Sequence, residues 1–193
     1  LIRLRGGEQL HIAVAGPGNR TILAIDPWTK AIGVAVLNKE ELWHCGVRYL
    51  RKAPLPDRLL VKGVAVVEEL IRVYKPKMLV LPKMDTSRRS PHVQAFCRAV
   101  RECAARTKIR VNEYSRAQVQ RAMNAEGQFN RHGIATNVAK RFPQLASGLP
   151  PPRKVWKPQD LRVSAFYAVA LGLVWSQPSQ TNQGRCSSEP KKG

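Results

Sequence analysis

Residues 21–37, TILAIDPWTKAIGVAVL, constrain the fold of this chain more than any other stretch. Two apolar runs of strand length are joined by a short turn, and residues 42–50, LWHCGVRYL, alternate as a third strand. Strands joined by so short a connection pair antiparallel. We therefore predict an antiparallel meander over residues 21–26, 31–37 and 42–50, with the first strand ending on the carboxylate of Asp26.

Helical and strand patterns alternate after this meander. A strand that is reached by a helical crossover lies parallel to its neighbour in the sheet. The pattern therefore predicts an α/β fold, in which helices flank a five-stranded mixed sheet whose first three strands are antiparallel. The predicted elements are a helix whose apolar stripe runs from Leu60 to Tyr74, a strand at 77–82, a helix at 90–106, a strand at 109–114, a helix that opens at Ser115, at least one helical turn around ATNVAKRF, and a helix at about 159–175.

The chain has 193 residues, which is near the size of one domain. Residues 1–20 mix charge with Gly and Pro without a sustained period, so we predict a flexible basic arm there. Residues 176–193 are polar and poor in apolar side chains, which is typical of a disordered tail. The predicted domain therefore spans residues 21–175.

Charge is the strongest compositional signal. The chain has 33 Lys and Arg residues against 13 Asp and Glu residues, a formal net charge of +20 that is spread along its length. Such a charge indicates a polyanionic partner, and we expect nucleic acid, either branched DNA or structured RNA. A membrane partner is not expected, because no run reaches the ~20 apolar residues that a span needs.

The four cysteines do not have the spacing of a metal site. Cys45, Cys97, Cys103 and Cys186 form no CxxC pair. Cys97 and Cys103 follow the apolar pattern of a helix, which predicts core positions. Scattered cysteines in a chain of this size favour an intracellular, reducing compartment, whether cytoplasm, nucleoid or an organelle.

Four stretches resemble the RuvC and YqgF type of Holliday junction resolvase. LAIDPWTKAIGVAVL resembles the first two strands of that family, and MLVLPKMDTSRRS resembles its fourth strand and the following loop. VNEYSRAQVQRAM resembles the fifth strand and next helix, and SAFYAVALGLVW resembles the final helix. The resemblance covers roughly residues 21–175 and implies a ribonuclease-H-like fold, whose order of elements is the one predicted above.

The resemblance also implies a metal-dependent endonuclease, and this chain departs from it at the site. In that family a cluster of Asp and Glu holds Mg²⁺ or Mn²⁺, which activates water against the phosphodiester. Asp26 matches the first-strand ligand of the cluster. The fourth-strand Glu falls on Pro82 and the final-helix Asp falls on Tyr167, and neither residue supplies a carboxylate. Trp28 also adds bulk beside Asp26.

Other acids are candidates to complete a catalytic set with Asp26. Asp85 lies three residues after Pro82, and Asp160 lies two helical turns before Tyr167. Each also has a structural interpretation, as a loop or helix-capping acid. Glu113 is a further candidate near the end of the fifth strand, and Asp26 itself has the alternative of bonding the amides of the following turn.

Basic residues and one aromatic residue are candidates for nucleic-acid binding. Affinity for nucleic acid comes largely from neutralising phosphates, so binding does not need the carboxylates. Trp156 is a candidate either for stacking on a base or for anchoring its loop to the core. The predicted set is Lys30, Arg88, Arg89, Arg116, Arg121, Arg131, Lys140, Arg153, Lys154 and Trp156.

Three functions stay open at this stage. The first is a ribonuclease-H-like nucleic-acid-binding protein whose cleavage activity is weak or lost and which needs no cofactor. The second is an active Mg²⁺- or Mn²⁺-dependent, structure-selective endonuclease that uses Asp26, Asp85 and Asp160. The third is a structural, RNA-binding component of a ribonucleoprotein. The resemblance to junction resolvases also implies a homodimer.

Overall fold

The computed structural model describes residues 9–11, 20–50, 56–83, 90–123 and 130–176. Strands and helices alternate within these residues after an initial run of strands. The elements are β1 (Gln9–His11), β2 (Thr21–Pro27), β3 (Ala31–Asn38), β4 (Glu41–Tyr49), α1 (Pro56–Tyr74), β5 (Met78–Pro82), α2 (Pro91–Arg106), β6 (Arg110–Tyr114), α3 (Arg116–Ala122), α4 (Arg131–Arg141), a 3-10 helix (Pro143–Gly148) and α5 (Val163–Ser176).

One mixed sheet holds all the described strands, in the order β1-β4-β3-β2-β5-β6. Strands β2, β3 and β4 form an antiparallel meander, while β5 lies parallel to β2 and β6 lies parallel to β5. The predicted mixed sheet, with its first three strands antiparallel and with flanking helices, is therefore confirmed.

A short sixth strand adds to the five that the sequence predicts. Gln9–His11 pairs antiparallel with β4, with Gln9 opposite Gly46. Without this strand the outer edge of β4 would present unpaired amide and carbonyl groups, which readily accept a further strand. These three residues lie within the arm predicted at residues 1–20, and nearly all of the rest of that arm lies outside the described residues.

The two faces of the sheet carry separate apolar cores. Along β2, Leu23 and Ile25 face the core that α1 and α2 cover. Ile22 and Ala24 face the opposite core, which contains residues of α3, α4 and α5. Because successive strand residues alternate between faces, Asp26 points toward the α3–α5 side.

Helix α5 lies unusually close to the sheet beside Asp26. Gly33 of β3 pairs directly with Asp26, and a Cβ atom at Gly33 would lie 2.1 Å from the Ser164 carbonyl oxygen. Only glycine permits this approach, and it places the first turn of α5 against the strand next to Asp26. Helix α5 therefore packs in direct contact with the sheet at this point.

Local capping explains where two of the shorter helices begin. Ser115 and Gln118 form a capping box at the start of α3, as the sequence predicts for Ser115. Asn130 accepts a hydrogen bond of 2.8 Å from the Gly133 amide, so α4 begins at Arg131.

No helix among the described residues is both long enough and apolar enough to cross a membrane.

The described cysteines are buried thiols. Cys97 and Cys103 lie in the core beneath α2, as their helical pattern predicts, and Cys45 lies in the opposite core. Burial raises the pKa of the Cys45 thiol to about 12. Cys186 lies outside the described residues.

Candidate functional site

The candidate site lies where the parallel strands β2, β5 and β6 end. Asp26 is fully buried at the end of β2. Ala24 pairs with Val80 of β5, and extending this register by two residues places Pro82 beside Asp26 on the same face of the sheet. Pro82 therefore lies next to Asp26 at this end of the sheet.

A guanidinium group binds the carboxylate of Asp26 from a helix that is distant in sequence. Arg131, the first residue of α4, donates from Nη1 to Oδ2 at 2.5 Å and from Nη2 to Oδ1 at 3.1 Å. The indole Nε1 of Trp28 also donates to Oδ2, at 2.9 Å. Both carboxylate oxygens are thus engaged by a two-pronged ion pair, the geometry in which arginine binds carboxylates most strongly.

Two aromatic rings pack against the guanidinium of Arg131. Its central carbon lies 4.1 Å from the centroid of the Tyr167 ring and 4.9 Å from that of Trp28. Tyr167 is buried in α5, so the residue at the expected carboxylate position of the final helix instead supports a cation. Trp28, which the sequence marks only as bulk, both bonds the acid and covers its partner.

The ion pair keeps Arg131 firmly charged. Burial lowers the pKa of the Arg131 guanidinium, but the Asp26 carboxylate and the hydrogen bonds to it, with a smaller contribution from Tyr167, raise that pKa above its ordinary value. The charge of the buried acid is therefore compensated within the protein, and about a fifth of the Arg131 side chain (19%) is exposed.

The sequence offered a second interpretation of Asp26, in which its carboxylate accepts from the amides of the following turn. The amide of Trp28 does not make that contact. The amide of Trp28 donates to the Ala31 carbonyl at 2.9 Å and closes the turn between β2 and β3. The carboxylate is held by side chains instead, because its buried position requires a full counter-charge rather than amide dipoles alone.

The described residues at this edge do not fit a divalent metal ion. Mg²⁺ and Mn²⁺ require several oxygen ligands, but Asp26 is occupied by Arg131 and Trp28, and neither Pro82 nor Tyr167 offers a carboxylate. Among all the residues that the structure describes, no group of three or more His, Cys, Asp or Glu is placed to hold a metal. Asp85 lies outside the described residues.

The other candidate acids have partners of their own. Asp160 accepts hydrogen bonds from the backbone amide of Arg162 at 2.8 Å and from its guanidinium at 2.9 Å. Partial burial raises the pKa of Asp160, but these bonds and the charge of Arg162 outweigh it, so the pKa is lowered. Glu113 pairs with Arg101 of α2 at 2.7 Å, on the opposite face of the sheet from Asp26.

The predicted nucleic-acid-binding residues do not form one cluster. Lys30, in the turn between β2 and β3, and Arg116, directly after β6, are exposed at the edge where Asp26 lies. Lys140 is exposed about 14 Å along α4 from Arg131. Its neighbour Arg141 pairs with Glu40 in the turn between β3 and β4, so Lys140 lies toward the opposite edge of the sheet. Arg121 is exposed near the end of α3.

Arg131 was grouped with the other candidate cations in the sequence, but its side chain points into the domain, toward Asp26. Arg88 and Arg89 lie outside the described residues. Lys83 was not a candidate in the sequence, although its position after β5 signals this edge: its amide donates to the Tyr114 carbonyl at 2.8 Å and its side chain is exposed.

Residues 150–160 form a loop that we call the tryptophan loop, and both its ends lie close to this site. At the first end, Nε2 of His132 is hydrogen-bonded to the Pro150 carbonyl at 3.0 Å. At the second end, the Asp160 carbonyl accepts from the Val163 amide at 3.3 Å, where α5 begins. The indole of Trp156 is 78% exposed, so it does not anchor the loop to the core.

Comparisons with known proteins identify the fold. No family model matches the sequence, and no curated protein matches it. RuvC from Thermus thermophilus, in complex with a Holliday junction substrate, superposes with a TM-score of 0.59 at 20% identity, covering 81% of this chain and 92% of that chain. A second structure of Thermus thermophilus RuvC gives a TM-score of 0.60 at 20% identity, covering 80% and 92%.

A more distant resolvase shares the same architecture. The yeast mitochondrial Holliday junction resolvase superposes with a TM-score of 0.55 at 9% identity, covering 83% of this chain and 80% of that chain. All three superpositions cover 80% or more of both chains. This chain therefore has the ribonuclease-H-like fold of RuvC-type Holliday junction resolvases.

Proposed function

We propose that this protein binds branched or structured nucleic acid through the end of its sheet that carries Asp26, and that it does not cleave this nucleic acid by metal-dependent chemistry. The observation that carries the proposal is the ion pair between Arg131 and Asp26. The guanidinium occupies both oxygens of the acid that matches the first metal ligand of the resembling family. A divalent cation would have to displace a buried arginine in order to bind there.

Displacing that arginine is unfavourable for two reasons. The guanidinium would leave two aromatic rings, and it would also lose both of its hydrogen bonds to the carboxylate. The incoming cation would then find one carboxylate and no second or third ligand on β5 or α5, where Pro82 and Tyr167 stand. A single carboxylate is a weak site for Mg²⁺.

Exposed cations surround the end of the sheet that carries Asp26, and we call the surface that they form the basic edge. Their charges lie near the end of the sheet that carries Asp26, and the described acids nearby, Asp26 and Asp160, are both paired with arginines. From Tyr114 to Gln159 the sequence contains a single acid, Glu126. The members of the basic edge are Lys30, Lys83, Arg116, Arg153, Lys154 and Lys157.

The test measures binding and cutting in the same reactions. A labelled four-way DNA junction and a matched single-stranded RNA are incubated with the protein in Mg²⁺, in Mn²⁺ and in chelator. We expect binding that weakens steeply with salt and no cut product in any condition. Metal-dependent cutting that Asp26→Asn abolishes would refute the loss of catalysis and would direct attention to Asp85.

Charge reversal locates the binding surface. Lys30→Glu and Arg116→Glu should each weaken junction binding and reduce its salt dependence by roughly one released counterion. Lys77→Glu is the matched control, because Lys77 is exposed at the start of β5, at the opposite edge of the sheet. Equal losses in all three variants would contradict a localised basic edge.

A further inference from the structure

The tryptophan loop presents an exposed aromatic ring that the domain itself leaves uncovered. Trp156 is 78% exposed and its neighbour Val155 is 88% exposed, the highest exposures among the large apolar side chains described. Trp28, Trp43 and Trp175 are half-buried or buried. An indole held in water forgoes much of the stabilisation that its burial would give, so its exposure points to a partner that covers it.

The turn that carries this ring is held in shape before any partner arrives. The amide of Lys157 donates to the Lys154 carbonyl at 3.0 Å, and Nε of Arg153 donates to the Lys157 carbonyl at 2.7 Å. Four prolines at positions 150, 151, 152 and 158 restrict the backbone on both sides. A ring on a pre-organised turn loses little conformational entropy when it is covered.

Charge identifies the partner as an anion with a flat apolar surface. Residues 150–159 carry three cations and no acid. The ammonium of Lys154 lies 5.7 Å from the centroid of the Trp156 ring, so positive charge stands beside the exposed π face. An acidic protein surface would satisfy the cations but not the ring, whereas a nucleotide offers a phosphate and a flat base together.

Continuous duplex does not offer that combination, because its bases are stacked on one another. A free base face occurs in single strands, loops and the open points of branched molecules. We propose, on the basis of the nucleic-acid-binding function above, that Trp156 stacks on an unpaired nucleobase while Lys154 and Lys157 contact the adjoining phosphates. The tryptophan loop would then make the basic edge selective for unpaired segments over plain duplex.

The experiment compares two probes of equal length and one variant series. Fluorescein-labelled oligothymidylate and a perfect DNA duplex are titrated by anisotropy at fixed salt without divalent metal. Trp156→Ala should weaken binding to oligothymidylate about tenfold, the loss of one stacked base, and should change duplex binding less than twofold. Trp156→Phe should restore most of the difference, and Val155→Ala, the matched control for an exposed apolar neighbour, should leave both unchanged.

Intrinsic fluorescence gives a readout that a merely structural role would not move. The difference between the emission of the parent protein and of Trp156→Phe isolates Trp156 from the other three tryptophans. Oligothymidylate should quench this difference signal and duplex should not, because only an unpaired base stacks on the ring.

The failures of the inference and of the proposed function are distinguishable. No salt-dependent binding to junction or duplex would refute the proposed function. Normal duplex and single-strand binding that Trp156→Ala does not alter would refute only the stacking. A third titration uses vesicles of anionic phospholipid. If Trp156→Ala loses binding to these vesicles but keeps its nucleic-acid binding, the inference is overturned in favour of a lipid surface.

Discussion

The ion pair between Arg131 and Asp26 predicts a large and specific loss of stability when one partner is removed. Replacing Arg131 with Met keeps an unbranched side chain of similar length but leaves the fully buried Asp26 carboxylate without its cation. Breaking a buried pair costs on the order of 3–5 kcal/mol. Since 19% of the Arg131 side chain is exposed, we expect a loss of about 3 kcal/mol, near the lower end of that range.

Removing both charges should recover most of this loss. Asp26→Asn alone leaves a guanidinium facing an amide, whereas Asp26→Asn combined with Arg131→Met leaves neither charge at this site. Neutral replacements of both members of a buried pair are often close to neutral in stability. In the double-mutant cycle, the loss of stability in the double variant should therefore be smaller than the sum of the two single losses. We expect this coupling free energy to be about 2 kcal/mol or more.

Urea unfolding of the parent protein, the two single variants and the double variant, followed by circular dichroism, measures this cycle. A loss below about 1 kcal/mol for Arg131→Met, or strictly additive losses in the double variant, would show that the pair does not carry the charge balance of the site.

Two further predictions concern the surroundings of the site. Gly33→Ala should destabilise the domain by about 3 kcal/mol or more, because the new methyl group would meet the Ser164 backbone 2.1 Å away; a loss below about 1 kcal/mol in urea unfolding would mean that α5 shifts freely. Asp160→Asn should cost under about 1 kcal/mol at neutral pH, because Asp160 and its partner Arg162 are both more than one-third exposed. Because the pKa of Asp160 is lowered in the folded protein, its charged form stabilises the fold above the ordinary carboxyl pKa, and this contribution is lost as the pH falls through the lowered pKa. The difference from the parent should therefore vanish in acid, and a difference that grows in acid would contradict the ion pair.

Much of the architecture could be predicted from the sequence because its signals are local. The alternation along residues 21–50 predicts the meander, and the helical stripe ending at Tyr74 predicts the crossover that makes β5 parallel to β2. Ser115 is a local capping signal and its helix begins as predicted. β1 could not be predicted, because three residues carry almost no period and their pairing is decided by the free edge of β4.

The composition of the site could be predicted only in part. Matching to the resembling family showed that Pro82 and Tyr167 stand where carboxylates are expected, and the structure places both around Asp26. The sequence did not show that Arg131, 105 residues away, is the counter-ion. A buried acid without acidic partners signals a cation, but 33 lysines and arginines were available and sequence spacing does not choose among them.

Position and exposure also separate residues that the sequence treats alike. Lys140 and Arg116 both read as surface cations, yet they lie toward opposite edges of the sheet. From the sequence, Trp156 could either anchor its loop or stack on a base, and its 78% exposure argues against anchoring. Side-chain direction at the end of a strand or in a loop depends on tertiary packing, which no local pattern records.

Arg131 explains how Asp26 can stay buried and charged without neighbouring carboxylates. A fully buried Asp26 requires a positive partner, whether a metal ion or a guanidinium. A metal needs further oxygen ligands to remain bound, whereas a guanidinium brings five hydrogen-bond donors of its own and stacks on aromatic rings. Because Arg131 supplies the charge, the neighbouring positions need no carboxylates: Pro82 ends β5, and Tyr167 packs against the cation.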